Sequence, residues 1–348
     1  MMTILPPWLL RWRAADPTVT FEHTVYLEPQ GVVLTADARE GQVTSAPYLG
    51  AWTQAIPSWQ ADAPAGTSIV VRLRAELDGR WTRWYTLAEW SSDETLRHSV
   101  PGQSDADAEV ATDTLLLRQP AQAVQWRAVL RRTGEASPVL RGVAVALDPE
   151  SAEAAQPAPM STIEPLPVPE RSQMIYPGGG PVWCSPTSLT MLLAYWFDRT
   201  RMPQLARFAD MQAVPDIVAP AVYDSEYDGT GNWPFNTAYA ATLGLEGYVV
   251  RLRDLGDLAH WLAAGVPVVA SIAWQDGELE GAPVGHSNGH LVVVVGIAPN
   301  GDVIVNDPAA DPRRGESVRR SYPRAQFCKA WQHSGRAVYL VFPPEYGG

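Results

Sequence analysis

Only two thiols occur in this 348-residue chain, and one of them stands where a thiolate would be stabilised. Cys184 directly precedes Ser185-Pro186, a pair that opens a helix. Leu189, Leu192, Leu193 and Trp196 then recur at i, i+3, i+4 and i+7 as one apolar stripe. Unpaired N–H groups and the macrodipole at a helix start favour negative charge on sulfur. A thiolate attacks carbonyl carbon, so the chemistry open to Cys184 is acyl transfer. An inert core cysteine is the plain alternative for such a position. The surroundings favour the nucleophile: Gly178-Gly179-Gly180 lets a substrate backbone come close just upstream, and Pro186 pins the turn. Cys328 has no comparable capping or basic motif and reads as structural.

Other clusters of reactive residues point elsewhere. With two cysteines and no CxxC pair there is no disulfide framework, no cysteine zinc site and no redox pair. His286 and His290 have a zinc-like spacing only on a helix, whereas Gly285, Ser287, Asn288 and Gly289 describe a loop entering a strand. Asp224, Glu226, Asp228 and Gly229 begin like a calcium loop, but its twelfth position is Phe235 instead of Glu. No metal and no cofactor is therefore expected. The same segment, Tyr223 to Phe235 with Tyr227, Asn232 and Trp233 among glycines, reads either as a substrate-cleft loop or as an ordinary surface loop.

Around Cys184 the chain alternates helix and strand signals. A second helix is expected from Asn236 or Thr237 to Gly244. A third opens at Asp254, buries Leu255, Leu258 and Leu262, and stops at Gly265 and Pro267. Strands are expected over Val268–Trp274, Leu291–Ile297, Val303–Asn306 and Ala337–Phe342, which makes residues 171–348 an α+β domain with helices first and sheet after. The residues before it follow a different rhythm. Ile69, Val71, Leu73, Ala75 and Leu77 alternate with polar residues, and Asp78-Gly79 offers a type I′ turn into a strand from Trp81 to Leu87. Val124 to Leu130 and Val143 to Leu147 alternate likewise. Residues 1–148 thus read as an all-β sandwich of jelly-roll or fibronectin-like kind. Between the two lies Pro149 to Glu170, with six prolines and no periodicity, a semi-extended linker.

Three stretches of the second domain resemble cysteine peptidase family 39, a group of papain-like enzymes named for bacteriocin-leader processing. They are Cys-Ser-Pro-Thr-Ser with its apolar helix (Cys184 to Trp196), Gly-His-Leu-Val-Val-Val-Val-Gly (Gly289 to Gly296) and Val-Asn-Asp-Pro (Val305 to Pro308), in the family's order. The resemblance covers about Arg171 to Phe342 and implies a papain-like fold, with Cys184 as nucleophile, His290 as general base and Asp307 orienting the histidine. Asn306 is the substitute orienter, since papain uses Asn there. Papain-like enzymes also use an upstream Gln to hold the oxyanion, and Gln173 is the glutamine available, although its spacing of 11 to Cys184 is longer than in many relatives. Gly179, Gly180, Trp183 and Trp233 are the expected lining of a substrate cleft. The backbone is compatible: a hairpin turning near residue 300 brings Asp307 within about two positions of the residue facing His290, and a one-residue slip would put the two on opposite faces.

The implied activity is hydrolysis of a peptide or amide bond through a thioester. Peptidoglycan amide hydrolysis and transglutamination are open to the same triad, and a non-catalytic binding protein is the alternative of another class. Leader processing itself is not expected, because those relatives carry membrane spans and an ATPase that this chain lacks. Peptide or protein is the expected substrate, and the tryptophans of the first domain (Trp8, Trp12, Trp52, Trp59, Trp81, Trp84, Trp90 and Trp126) either pack its core or stack on a glycan. With 46% hydrophobic and 18% charged residues the chain is globular. A net charge of -12 argues against nucleic acid and anionic lipid. The short apolar run Ile4–Leu10 is broken by Pro6 and Pro7 and makes a poor signal peptide, so the expected location is cytoplasmic, or secreted if the true start lies upstream.

Overall fold

The computed structural model describes residues 5–148, 161–178 and 180–346. They divide into two compact units. One holds residues 7–148 together with 223–242, and the other holds 5–6, 161–222 and 243–346.

In the first unit thirteen antiparallel strands share one hydrogen-bonded network. Its longest strand, Thr114–Arg132, changes partners along its length. The early part pairs with Ala108–Ala111 and with Tyr48–Asp62, and the later part pairs with Thr67–Leu77 on one side and Glu40–Ser45 on the other. The expected hairpin is present, with Asp78 and Gly79 both at positive φ, as a type I′ turn requires. Its second strand is interrupted, however. Arg80–Trp81 and Tyr85–Trp90 are separate strands because Thr82 turns inward, its N–H bonding the carbonyl of Ala75 and its Oγ1 accepting from the Ala75 N–H.

Trp12, Trp52, Trp59, Trp90 and Trp126 are buried and build the core, with Trp12 against Trp126 at 5.2 Å. Trp81 and Trp84 are half-buried, and Arg74 stacks over both rings at 4.5 Å while Arg127 lies over Trp84 at 4.3 Å. The segment 223–242 completes this unit. Asp224 is buried and its carboxylate accepts from the N–H groups of Ser99, Glu226 and Tyr227 and from Asn232 Nδ2, so the calcium-like acidic run instead builds a docking turn.

The second unit carries a six-stranded antiparallel sheet in the order Glu246–Arg251, Ala337–Phe342, Val268–Trp274, Ser287–Ile297, Val303–Asn306, Arg319–Tyr322. Helices Cys184–Thr200, Leu255–Ala263 and Arg324–His333 belong to it. Asp254 caps the middle one, accepting from Gly256 and Asp257 N–H as its position in the sequence suggests. Helix and sheet do not segregate as expected, since the strand Glu246–Arg251 precedes one helix and the helix Arg324–His333 separates two strands. The Cys184 helix is more deeply placed than one apolar stripe implies: all twelve residues from Ser185 to Trp196 are buried. Part of the expected linker is described. Residues 149–160 lie outside the described residues, but Ile163 forms a bridge with Ile297 and Leu166 N–H bonds the carbonyl of Val295, so residues 161–170 are part of the second unit. Among the described residues no helix is long and apolar enough to cross a membrane.

Candidate active site

Cys184 is the first residue of its helix and is half-buried. The cap position is Trp183, whose side chain makes no capping bond, so the first N–H groups are not taken by a side-chain oxygen. No acidic residue occupies the first turn. What brings the helix close to the sheet is a set of small polar residues that the apolar pattern does not reveal. Ser188 Oγ donates to the carbonyl of Leu291 at 3.2 Å, next to His290, and Ser185 Oγ meets Tyr339 Oη at 2.9 Å. Both serines are buried, and their small volume allows backbone and strand to approach.

His290 projects from the strand Ser287–Ile297 and is 5% exposed; Asp307 is 0% exposed. His290 Nε2 and Asp307 Oδ1 are 2.7 Å apart. This meeting depends on a bulge. Near the hairpin end Ile297 faces Val303 and Gly296 faces Ile304, but Val294 faces Val305 and Val293 faces Asn306, leaving Val295 as an extra residue. An unbroken ladder would set Asp307 opposite Val293, on the face away from His290. The extra residue sets it in line with Val292, two positions from His290 and on its face. The Val295 carbonyl is taken up by Leu166 N–H at 2.8 Å, and Gly296 is the residue that lets this segment pass, because a Cβ there would lie 2.7 Å from the Ile163 carbonyl oxygen.

The imidazole is thus enclosed. Trp274 meets it edge to face at 5.8 Å, and Cys184 lies near enough to act on its charge. Burial by itself lowers the pKa of His290, but the Asp307 carboxylate and then Cys184 outweigh it and push it up to about 10. Asp307 shows the mirror image: burial raises its pKa, and His290, Tyr322 and the Ala309 N–H together hold it below the usual carboxylate range. Tyr322, a residue without any motif, donates its hydroxyl to Asp307 Oδ2, and Ala309 N–H bonds Oδ1 at 2.8 Å. Asn306 does not share this position. Its side chain lies on the other face, with Nδ2 donating to the Val168 carbonyl at 3.2 Å and Oδ1 accepting from Arg319 Nε at 3.0 Å, so it does not orient His290.

Gln173 sits in a short turn tied to the loop after Asp307. Its N–H bonds the Pro308 carbonyl at 2.8 Å, while Ser172 Oγ bonds the Ala310 carbonyl. The side chain is buried, and its Oε1 has no partner among the described residues. Gly180 packs onto this turn, where a Cβ would lie 2.8 Å from the Gln173 carbonyl oxygen. Its lack of a side chain therefore serves packing as well as access. Trp183, tilted against Tyr176 at 6.1 Å, flanks Cys184. Gly179 lies outside the described residues. Trp233 belongs to the first unit, with its N–H on Asp113 Oδ2 at 3.1 Å. Cys328 stands apart as well, and burial pushes its thiol up. A half-exposed thiol, an imidazole and a buried carboxylate in series can move a proton from sulfur to nitrogen and hold the resulting cation.

The family profile described as Peptidase C39 N-terminal domain matches residues 13–147. Among solved structures, a Bacillus anthracis protein described as a C39-like peptidase is similar at 18% identity over 52% of this chain and 98% of its own, with a TM-score of 0.34. A xylan-binding module, CBM15, is similar at 14% identity over 41% of this chain and 98% of its own, with a TM-score of 0.25. A structure of infectious bursal disease virus Gt strain follows at 13% identity over 39% of this chain and 30% of its own, with a TM-score of 0.22. No curated protein matches the chain. The profile of the Peptidase C39-like family matches residues 165–339, half of the chain and all of the residues that surround Cys184 and His290, and the chain belongs to that family.

Proposed function

We propose that this protein is a cysteine peptidase that hydrolyses a peptide or amide bond through Cys184, His290 and Asp307, on a papain-like α+β unit that follows an N-terminal β-sandwich. The observation that carries this reading is the buried His290–Asp307 contact of 2.7 Å, beside a half-buried thiol that begins a helix whose Ser188 bonds the strand of His290. The Cys184 proton passes to His290, and the thiolate attacks the substrate carbonyl. Negative charge on the former carbonyl oxygen is met by the Cys184 N–H, which no side chain caps, and by the Gln173 amide. The imidazolium returns its proton to the leaving amine as the C–N bond breaks, giving a thioester on Cys184. Water, deprotonated by His290, then releases the acid and regenerates the thiol.

The test compares wild type with Cys184→Ala, using iodoacetamide near neutral pH together with cleavage of a peptide library. Cys184 is expected to label at least tenfold faster than Cys328, whose thiol burial keeps protonated, and Cys184→Ala is expected to lose all cleavage. Equal labelling of the two thiols, with no peptide cleaved by wild type, would sink the proposal.

A further inference from the structure

We propose that Tyr322 is a positioning residue for the peptidase reaction, acting through Asp307; the inference rests on the reading given above. Tyr322 ends the strand Arg319–Tyr322, at the margin of the six-stranded sheet, and stands opposite Val303. Its side chain is buried, and its hydroxyl reaches back to the far oxygen of the carboxylate that binds His290.

The division of donors on Asp307 makes this contact more than packing. Oδ1 receives His290 Nε2 and the Ala309 N–H. Oδ2 receives only the Tyr322 hydroxyl among the described residues. A carboxylate with no exposure and one oxygen bare would attract a proton, and a protonated Asp307 would no longer stabilise an imidazolium. Tyr322 therefore keeps Asp307 anionic and fixes the plane of its carboxylate at the angle His290 requires. The charged and titratable groups that face this point are His290, Cys184 beyond it, and Arg320 beside the phenol. Arg320 donates through Nη1 and Nη2 to the carbonyls of Gly281 and Ser317 and lies beside the phenol, and it is the phenol hydroxyl that donates to Asp307.

The experiment measures the rate of Cys184 alkylation by iodoacetamide from pH 4 to 9, with kcat and KM for a cleaved peptide, in wild type and Tyr322→Phe. Loss of the hydroxyl weakens Asp307 as partner of the imidazolium, so the pH of half-maximal alkylation rises by about one unit, equivalent to tenfold in thiolate at a fixed acidic pH. The value of kcat falls about tenfold while KM stays within twofold, since Tyr322 touches no substrate. A purely structural tyrosine would lower the unfolding midpoint and leave the alkylation profile where it was, which would overturn the proposal. Replacement of Tyr322 by 3-fluorotyrosine retains the hydroxyl, and because Asp307 is already ionised over this range, an alkylation profile and kcat close to those of wild type support the proposal, whereas a tenfold fall in kcat with the hydroxyl retained overturns it even if Tyr322→Phe does not fold. If wild-type Cys184 has no advantage over Cys328 at any pH, the peptidase reading and this inference fall together. If the advantage is present and insensitive to Tyr322, only the inference falls.

Discussion

At the scale of single residues, the His290–Asp307 pair joins stability to pH. His290 has a raised pKa in the folded state, so its contribution is complete below its unfolded value of 6.5 and is lost as pH rises toward 10. Asp307 has a lowered one, so its contribution is complete above its unfolded value of 3.8 and is lost as pH falls through the folded value. The pair stabilises most between these limits. The urea midpoint of wild type, followed from pH 3 to 10 against Asp307→Asn, is expected to show a margin that is largest near pH 5 to 6 and shrinks on both sides; a margin that grows toward pH 9 would contradict the assignment. His290→Gln strands a buried carboxylate and should cost about 3–5 kcal/mol at neutral pH, read by the same titration. Cys184, His290 and Asp307 were legible in the sequence because each lies in a short motif with a turn, glycine or helix start beside it. Tyr322 was not, for Arg-Arg-Ser-Tyr has no period, and its role arises from a contact 15 residues away that no local pattern announces. Gln173 was legible as a residue type, but the turn that ties it to Pro308 was not.

Elements carry the next level of control. The strands Val268–Trp274, Val303–Asn306 and Ala337–Phe342 coincide with their expected ranges because buried, β-branched runs have few alternatives. The bulge at Val295 was beyond reach, since an extra residue leaves the composition of a strand unchanged. Yet that one residue decides which face Asp307 shares. Gly296→Ala would push a methyl group against the Ile163 carbonyl and Pro165 backbone, neither of which is a flexible side chain. It should destabilise by about 1–3 kcal/mol and, by disturbing the bulge, reduce the Cys184 alkylation rate as well. Unaltered alkylation in a folded Gly296→Ala protein would show that the bulge does not govern the alignment. The helix Trp233–Thr242 begins three residues before the expected Asn236 because Asn232 Oδ1 accepts from the Phe235 N–H and caps the first turn.

At the scale of the whole molecule the surprise is the ownership of residues 223–242. Phe235 packs between Trp59 at 6.2 Å and Trp90 at 5.5 Å, and Arg97 bonds the Tyr223 carbonyl, so a segment from the middle of the second half of the chain lies in the core of the first unit. Boundaries drawn from composition follow the linear order of the chain and place this segment with its sequence neighbours. Packing does not. Phe235→Ala should therefore destabilise the first unit by about 3–5 kcal/mol, visible as an earlier change in tryptophan fluorescence on heating, because its ring rests on two tryptophans of that unit. A variant whose fluorescence transition is unmoved would refute that placement. Synthesis from the amino terminus gives this arrangement a temporal meaning. Residues 7–148 leave the ribosome long before residues 223–242 are translated, and until then Trp59 and Trp90 lack the phenylalanine that covers them. The first unit is thus obliged to wait, incomplete, for a segment that the second half of the polypeptide supplies.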